Sequence, residues 1–194
     1  MKFVALDFET SGLQPGTHAP VELGCALFED GNVLSEFRTL IAPPVYKDRI
    51  SRAYDVVALE ISGLSWKAIK SAPTPRQVCT DLLAWANEND ARDLIVVAFN
   101  APFDFAWYSD LLFLGGAWNN QSKRFETFQP PFTGPWHCAR LLAVRNLDLN
   151  SYTLDAVAAH FDLRRHSALH GALEDAALAG HVYSCLYPTV KVTP

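Results

Sequence analysis

The chain has 194 residues, of which 49% are apolar, 12% aromatic and 19% charged. This composition argues against disorder, and the length allows one hydrophobic core, so we expect a single domain over residues 1–194. The net charge of −5 argues against a large basic surface for nucleic acid. Nucleic acid is still an acceptable partner, because bound divalent ions can neutralise phosphates locally.

The cysteines are few and widely separated, which argues against a disulfide scaffold and a zinc site and favours a reducing compartment. We therefore expect a cytoplasmic protein. Only four apolar residues separate Lys2 from Asp7, too few for a signal peptide, and no apolar run reaches the length of a membrane span. The cysteines are Cys25, Cys79, Cys138 and Cys185.

The first part of the chain predicts an antiparallel meander. Residues 3–6 form a short apolar run typical of a buried strand. Residues 21–28 and 33–41 read as two further strands, joined by Asp30-Gly31, a strong hairpin signal. Residues 45–75 show no clear periodicity, and residues 61–64 are predicted to form a turn.

The second part alternates helical and strand patterns, which predicts an α/β domain with a mixed sheet. Thr74-Pro75 resembles a helix start, with Thr as the N-cap. Residues 117–135, rich in aromatic, Asn and Pro residues, are predicted to be a long surface loop. The other predicted elements are helices at 75–89, 103–114, 139–145, 152–161 and 171–186, and strands at 94–99 and 136–138.

Asp7 and Glu9 interrupt the first apolar strand two positions apart. Residues i and i+2 of a strand point to the same face, so both carboxylates project from one face into an apolar environment. Buried charges need a partner, and no basic residue close in sequence is placed to provide one. Mg²⁺ or Mn²⁺ is then the expected partner, since hard cations prefer oxygen ligands. A solvated edge strand with two exposed acids is the alternative.

Three more residues are candidates for the same site. Asp104 follows the strand at 94–99, where ligand sites of open α/β sheets lie, although by itself it fits a helix-start acid better. Asp175 lies on a stripe of small residues that faces the sheet, where a solvated acid is not expected. His170 precedes that helix and would serve as a base and not as a ligand, although a histidine in such a place is, taken alone, more often a capping or surface residue.

Four carboxylates and a histidine suit metal-assisted phosphodiester hydrolysis. Two divalent ions, roughly 3.5–4 Å apart, can stabilise the attacking and leaving oxygens. A neutral histidine can take the proton of the attacking water. His166 is the rival for this role.

Three segments together resemble the motifs of the DEDDh (DnaQ-like) 3′–5′ exonucleases: 7–10 (Asp-Phe-Glu-Thr), 100–104 (Asn-Ala-Pro-Phe-Asp) and 170–175 (His-Gly-Ala-Leu-Glu-Asp). The resemblance spans about residues 3–185, with Phe99 where many members carry His. It implies a ribonuclease H-like fold with a mixed five-stranded sheet flanked by helices. It also implies that Asp7, Glu9, Asp104 and Asp175 hold two Mg²⁺ or Mn²⁺ ions and that His170 is the general base.

The resemblance further implies contacts to the terminal nucleotide, for which turn-forming or core roles are nearly as good an explanation. These substrate residues are Thr10, Leu13, Ile61, Gly63, Asn100 and Phe103.

Three functions are compatible with these residues. The favoured one is hydrolysis at the 3′ end of DNA, single-stranded or frayed, free-standing or beside a polymerase or a second copy of the chain. An exoribonuclease of the same fold is the second, because contacts to the 2′-hydroxyl cannot be read from the sequence. A non-catalytic binding module is the third, and the presence of all five polar residues argues against it.

Overall fold

The computed structural model describes residues 1–166 and 171–187. Its centre is a five-stranded sheet in the order β3-β2-β1-β6-β9. β1 pairs antiparallel with β2, which pairs antiparallel with β3, whereas β1, β6 and β9 run parallel. The strands are β1 (Lys2–Thr10), β2 (Pro20–Glu29), β3 (Asn32–Leu40), β6 (Ile95–Ala98) and β9 (Trp136–Cys138). The mixed α/β sheet predicted from the sequence is thus confirmed.

Helices cover both faces of this sheet, and two small hairpins lie outside it. The helices are α1 (Val56–Ser62), α2 (Trp66–Lys70), α3 (Pro75–Glu88), α4 (Ala101–Leu114), α5 (Ala139–Asn146), α6 (Leu154–His160) and α7 (Ala172–Leu186). The hairpin strands are β4 (Val45–Tyr46) with β5 (Arg49–Ile50), and β7 (Ala117–Asn119) with β8 (Arg124–Glu126). None of the helices in the described ranges is both long and apolar enough to cross a bilayer.

Alternation along β1 divides the protein into two cores. Val4, Leu6 and Phe8 pack on the side of α3 and α4. Phe3 and Ala5 pack on the side of α5, α6 and α7. Since side chains alternate along a strand, Asp7 and Glu9 continue the second set and face α7.

The hairpin between β2 and β3 follows the prediction. Asp30 and Gly31 have φ values of 50° and 83°. Both residues therefore adopt the left-handed conformations that a tight two-residue turn requires, and Asp and Gly are residue types that tolerate them.

The expectation of irregular structure over 45–75 is wrong, since this segment contains β4, β5, α1 and α2. Both helices begin at side-chain caps: Asp55 accepts from the Val57 N–H, and Ser65 accepts from the Ala68 N–H. The predicted turn at 61–64 is the end of α1, where Gly63 caps the helix at a φ of +65°. Periodicity missed these helices because they are short and leave many apolar side chains exposed.

The expectation of an irregular loop over 117–135 also needs correction. Its first half forms the β7–β8 hairpin, with Trp118 opposite Phe125. In its second half Phe132 is buried in the core beside Tyr108, whose hydroxyl accepts a hydrogen bond from the Phe132 N–H. Aromatic residues in this segment therefore serve packing as well as surface contacts.

Helix α7 approaches the sheet very closely. A Cβ atom on Gly24 would lie 2.2–2.4 Å from backbone atoms of Ala172 and Leu173. Further along α7, a Cβ on Gly180 would lie 2.2 Å from the Phe28 ring. The absence of a side chain at these two positions allows the contact, which fixes where the first turn of α7 lies above β1 and β2.

Candidate active site

Three carboxylates meet where α7 crosses β1. β1 extends through Thr10, so Asp7 and Glu9 both lie in regular strand and on the face toward α7. Asp175 lies in the first turn of α7 and is buried, whereas Asp7 and Glu9 are partly exposed. One oxygen of each of the three residues lies within 4.8 Å of the others. This is a spacing at which one cation can be shared.

Asp104 reaches the same region from the opposite side of the sheet. It lies in the first turn of α4, directly after β6, and is 2% exposed. Its Oδ1 atom is buried without a hydrogen-bond partner. The Phe8 N–H donates to this carboxyl, and the Asp104 charge in turn raises the pKa of Asp7.

The acids have strongly raised pKa values. Burial is the largest cause at Asp7, followed by the charges of Asp104 and Asp175, and it holds the pKa of Asp7 well above its usual range. Burial, and then the charge of Asp175, raises the pKa of Glu9 to about 7. Burial raises the pKa of Asp104 to about 8, partly opposed by the hydrogen bond from Phe8. We therefore expect these carboxyl groups to release protons when a cation binds to them.

The residues fit hard divalent cations. All four acids offer oxygen donors, the preferred ligands of Mg²⁺ and Mn²⁺. A buried carboxylate oxygen without a partner, as at Asp104, is an expected feature of a ligand that binds an external cation.

Arg165 also reaches this site, and no sequence pattern indicates it. Its Nε donates to Asp155 Oδ1 at 2.6 Å, and its Nη1 donates to Asp175 Oδ1. The side chain is only 12% exposed, and its charge lowers the pKa of both Asp7 and Glu9. The sequence predicts no basic partner for Asp7 and Glu9 because none lies near them in the chain. Arg165 approaches them from a distant part of the sequence.

The predicted base, His170, lies outside the described residues. The rival histidine, His166, is exposed, and its backbone N–H donates to the Glu174 carboxylate.

An open pocket of about 540 Å³ adjoins the acids. Three of the predicted substrate residues line it: Thr10, Leu13 and Ile61. Leu13 is 80% exposed, and Ile61 at the same pocket is 53% exposed. The other lining residues are Glu9, Gly12, Gln14, His18, Asp55, Val57 and Ala58.

The remaining predicted substrate residues lie elsewhere. Gly63 lines two other pockets, which also include Leu64. Asn100 is the exposed N-cap residue of α4. Phe103 packs against the core, with its ring 5.9 Å from that of Trp107. None of these three lines the pocket beside Glu9.

His18 and Val57 line the pocket, but the sequence pattern does not single them out. The ring of His18 lies against Gly12, where a Cβ would be 2.1 Å from the ring. Val57 follows the Asp55 cap of α1 and is 61% exposed. An exposed valine at a helix start has no distinctive sequence signal, so only the packing of α1 beside β1 reveals it.

Glu22 caps the first turn of α7. It is 1% exposed, and its two oxygens accept from Arg38 Nε at 2.6 Å and from the Ala172 N–H at 3.1 Å. The N-cap residue Gly171 has no side chain to cap the helix, so the buried carboxylate of Glu22 does so. Glu22 thus positions the helix that carries Asp175.

Known proteins resemble this chain over almost its whole length. The DNA polymerase III subunit epsilon of Rickettsia prowazekii (strain Madrid E) is 31% identical over 191 residues, covering 96% of this chain and 74% of that protein. The PolC-type DNA polymerase III of Thermotoga petrophila (strain ATCC BAA-488 / DSM 13995 / JCM 10881 / RKU-1) is 29% identical over 187 residues. That match covers 93% of this chain but only 11% of the polymerase.

Similarity of fold agrees with similarity of sequence. The nuclease domain of 3′hExo, described as a DEDDh family member bound to rAMP, superposes with a TM-score of 0.74. It is 13% identical and the match covers 97% of this chain and 92% of that domain. The family model RNase_T, described as Exonuclease, matches residues 4–183. The chain therefore belongs to the RNase_T exonuclease family.

Proposed function

We propose that this chain is a 3′–5′ exonuclease that hydrolyses the terminal phosphodiester bond of single-stranded or frayed DNA and releases nucleoside monophosphates. The observation that carries the proposal is the meeting of Asp7, Glu9 and Asp175 within 4.8 Å beside an open pocket. We assign the activity to one domain over residues 1–194.

Asp7, Glu9, Asp104 and Asp175 would hold two divalent ions, Mg²⁺ or Mn²⁺. When bound, such ions stabilise charge on the attacking and leaving oxygens of an in-line displacement. The chain's own contribution is placement. β1 presents two acids with strand spacing, α7 supplies the third because Gly24 and Glu22 fix its first turn, and α4 supplies the fourth.

His170 would act as the general base. In the sequence it lies two residues before the start of α7, the helix that carries Asp175. A histidine near its ordinary pKa of about 6.5 can accept a proton from water at neutral pH. The four carboxylates are occupied with cations in this scheme and are poor candidates for the same task.

The pocket beside Glu9 would hold the terminal nucleotide. Leu13, Val57 and Ile61 give it exposed apolar walls on which a base can pack, and Thr10 and Gln14 are polar residues at the same pocket. Exposed apolar residues that cluster around an open pocket are typical of a ligand site.

DNA is the favoured substrate because the Rickettsia relative, 31% identical, is a subunit of a DNA polymerase. The same similarity favours a polymerase as a protein partner, although a second copy of the chain is an alternative. RNA is the second candidate substrate because the 3′hExo domain, of the same fold, was described with rAMP bound.

The test is digestion of matched single-stranded DNA, duplex DNA and RNA, each labelled at either the 5′ or the 3′ end. With Mg²⁺ or Mn²⁺, we expect 5′-labelled DNA to shorten one nucleotide at a time, and 3′-labelled DNA to release labelled mononucleotide at once. Preference for RNA would replace the DNA assignment with the second candidate. Cleavage inside the strand, or release from the 5′ end, would contradict the proposal.

Asp7→Ala is the variant that tests the metal site. We expect loss of nuclease activity with the fold retained or stabilised, because the repulsion among the clustered acids is relieved. Asp148→Ala, at an exposed acid, is the matched control and should keep wild-type activity. EDTA should silence the wild type, and added Mg²⁺ or Mn²⁺ should restore it. Full activity in the chelator would contradict the role of metal.

A further inference from the structure

Arg165 makes an unusual pair of contacts for a residue beside a cation site. One guanidinium group bonds to Asp155, an exposed acid in the first turn of α6, and to Asp175, a buried acid in the first turn of α7. Only 12% of the Arg165 side chain is exposed, and its guanidinium group bonds to both acids. One of these partners belongs to the proposed metal site and the other does not.

The charges around Arg165 explain what this contact does. Asp7, Glu9 and Asp175 are three acids within 4.8 Å, and they repel one another when they are ionised. The charge of Arg165 lowers the pKa of both Asp7 and Glu9, so it opposes this repulsion. The guanidinium thus supplies, in the metal-free protein, part of the positive charge that divalent ions would supply.

A divalent ion and the guanidinium cannot both keep close contact with Asp175 without strong repulsion. Arg165 can lose its bond to Asp175 and still keep its bond to Asp155. Asp155 is not part of the proposed metal site. Binding of a divalent ion at Asp175 would break the charge-assisted bond between Arg165 and Asp175 and leave the bond between Arg165 and Asp155 intact.

We propose that Arg165 is a displaceable counter-ion of the active site, paired with Asp175 when no metal is bound and with Asp155 alone when metal is bound. This proposal rests on the proposed metal site. Arg165 would lower the affinity of the site for Mg²⁺ while stabilising the metal-free fold. It is a positioning residue for the acids of the site and takes no part in the reaction.

The experiment is a Mg²⁺ titration of the full chain followed by thermal unfolding at pH 8.5, with a chelator baseline. Arg165→Met keeps an unbranched apolar side chain and removes the guanidinium group with its charge. In chelator, we expect Arg165→Met to have a lower Tm than wild type. In the titration, we expect half-maximal stabilisation of Arg165→Met at an approximately tenfold lower Mg²⁺ concentration, because a charge-assisted bond that competes with the metal has been removed. Arg164→Met removes the same charge from an exposed neighbour and should match wild type in both readouts.

A double-mutant cycle separates this proposal from a general effect of charge. Asp155→Asn alone should weaken Mg²⁺ binding, because Arg165 then keeps only Asp175. In the Arg165→Met background, Asp155→Asn should have no effect, since Asp155 acts only through the arginine. Additive effects, or equal changes in Arg164→Met, would overturn the proposal.

Two other outcomes are informative. Unchanged Mg²⁺ affinity in Arg165→Met, with weaker binding of a nucleoside monophosphate, would overturn the proposal and assign Arg165 to the substrate phosphate. Absence of any stabilisation of the wild type by Mg²⁺ or Mn²⁺ would overturn the metal site itself, and the Arg165 proposal with it.

Discussion

At the scale of single residues, the site is built from acids in environments that oppose their ionisation. Asp104 is the clearest case, since it is 2% exposed and has one oxygen without a partner. Its pKa of about 8 and that of Glu9, about 7, both exceed the ordinary values near 4. The metal-free fold therefore binds these protons more tightly than the unfolded chain does.

This difference predicts how stability depends on pH in chelator. Between about pH 4 and 8 the folded protein binds more protons than the unfolded chain, so its free energy of unfolding falls as the pH rises. Thermal unfolding in EDTA should show the Tm decreasing across this range. Asp104→Asn removes one titrating group and should flatten the decrease. A Tm that rises with pH over the same range in wild type would contradict the raised pKa values.

The second residue-scale prediction concerns the general base. His170→Ala should lower the hydrolysis rate by roughly 10²–10⁴-fold, the usual contribution of general-base catalysis, with metal binding largely retained because all four acids remain. His166→Ala is the matched control and should stay near wild type. The measurement is single-turnover cleavage at saturating metal. Near-normal turnover in His170→Ala with a large loss in His166→Ala would reverse the assignment.

At the scale of elements, the contact between α7 and the sheet decides whether the acids meet. Asp7 is the register partner of Gly24, and the first turn of α7 lies directly over that glycine. The Glu22 carboxylate caps the same turn through the Ala172 N–H. The position of Asp175 therefore depends on two features of β2, a missing side chain at Gly24 and the buried carboxylate of Glu22.

Gly24→Ala should damage both the fold and the site. The new Cβ would meet backbone atoms at 2.2–2.4 Å, so α7 must move, at a cost of about 1–3 kcal/mol for an overpacked core. We expect a lower Tm and weaker Mg²⁺ binding, both measured by thermal unfolding with and without metal. Gly180→Ala, which meets the Phe28 ring further along α7, should lower the Tm and keep the metal affinity. Equal metal affinity in Gly24→Ala and wild type would show that α7 is not the controlling element.

At the scale of the whole molecule, the β7–β8 hairpin lies far from the acids. It follows the C-terminal end of α4, and its Phe125 ring packs 5.0 Å from that of Phe113. Asp104 lies at the opposite end of this helix. Phe113 lies nine positions after Asp104 along α4, and at ~1.5 Å per residue this corresponds to about 14 Å along the axis. We therefore expect the hairpin to contact a longer substrate or another protein and not the terminal nucleotide.

This distance predicts a length-dependent effect of the hairpin. The double variant Lys123→Ala and Arg124→Ala should cleave a dinucleotide at the wild-type rate. On a long single strand, contact with the hairpin would give weaker binding with a smaller dependence on salt. The measurement is kcat/KM for substrates of increasing length, with binding at two salt concentrations. Slower cleavage of the dinucleotide would show that the hairpin reaches the catalytic acids.

The sequence by itself determined much of this architecture. Alternation and apolar runs identified the meander and the parallel strands, because strand period and burial leave direct patterns. The spacing of Asp7 and Glu9 placed both on one face, and the small-residue stripe placed Asp175 toward the sheet, as observed. These inferences succeeded because each depends on residues close together in the chain.

Only the tertiary structure decided the remaining features, and the physical reason is that they depend on distant residues. Arg165 lies close enough to Asp7 and Glu9, near the other end of the chain, to lower the pKa of both, because α7 packs against β1, which no local pattern encodes. The pocket wall formed by His18 and Val57 depends on how α1 lies beside β1. Helices α1 and α2 were missed because short helices are specified by their caps and by packing more than by periodicity. The sequence thus identified the acids, and tertiary packing decided what surrounds them.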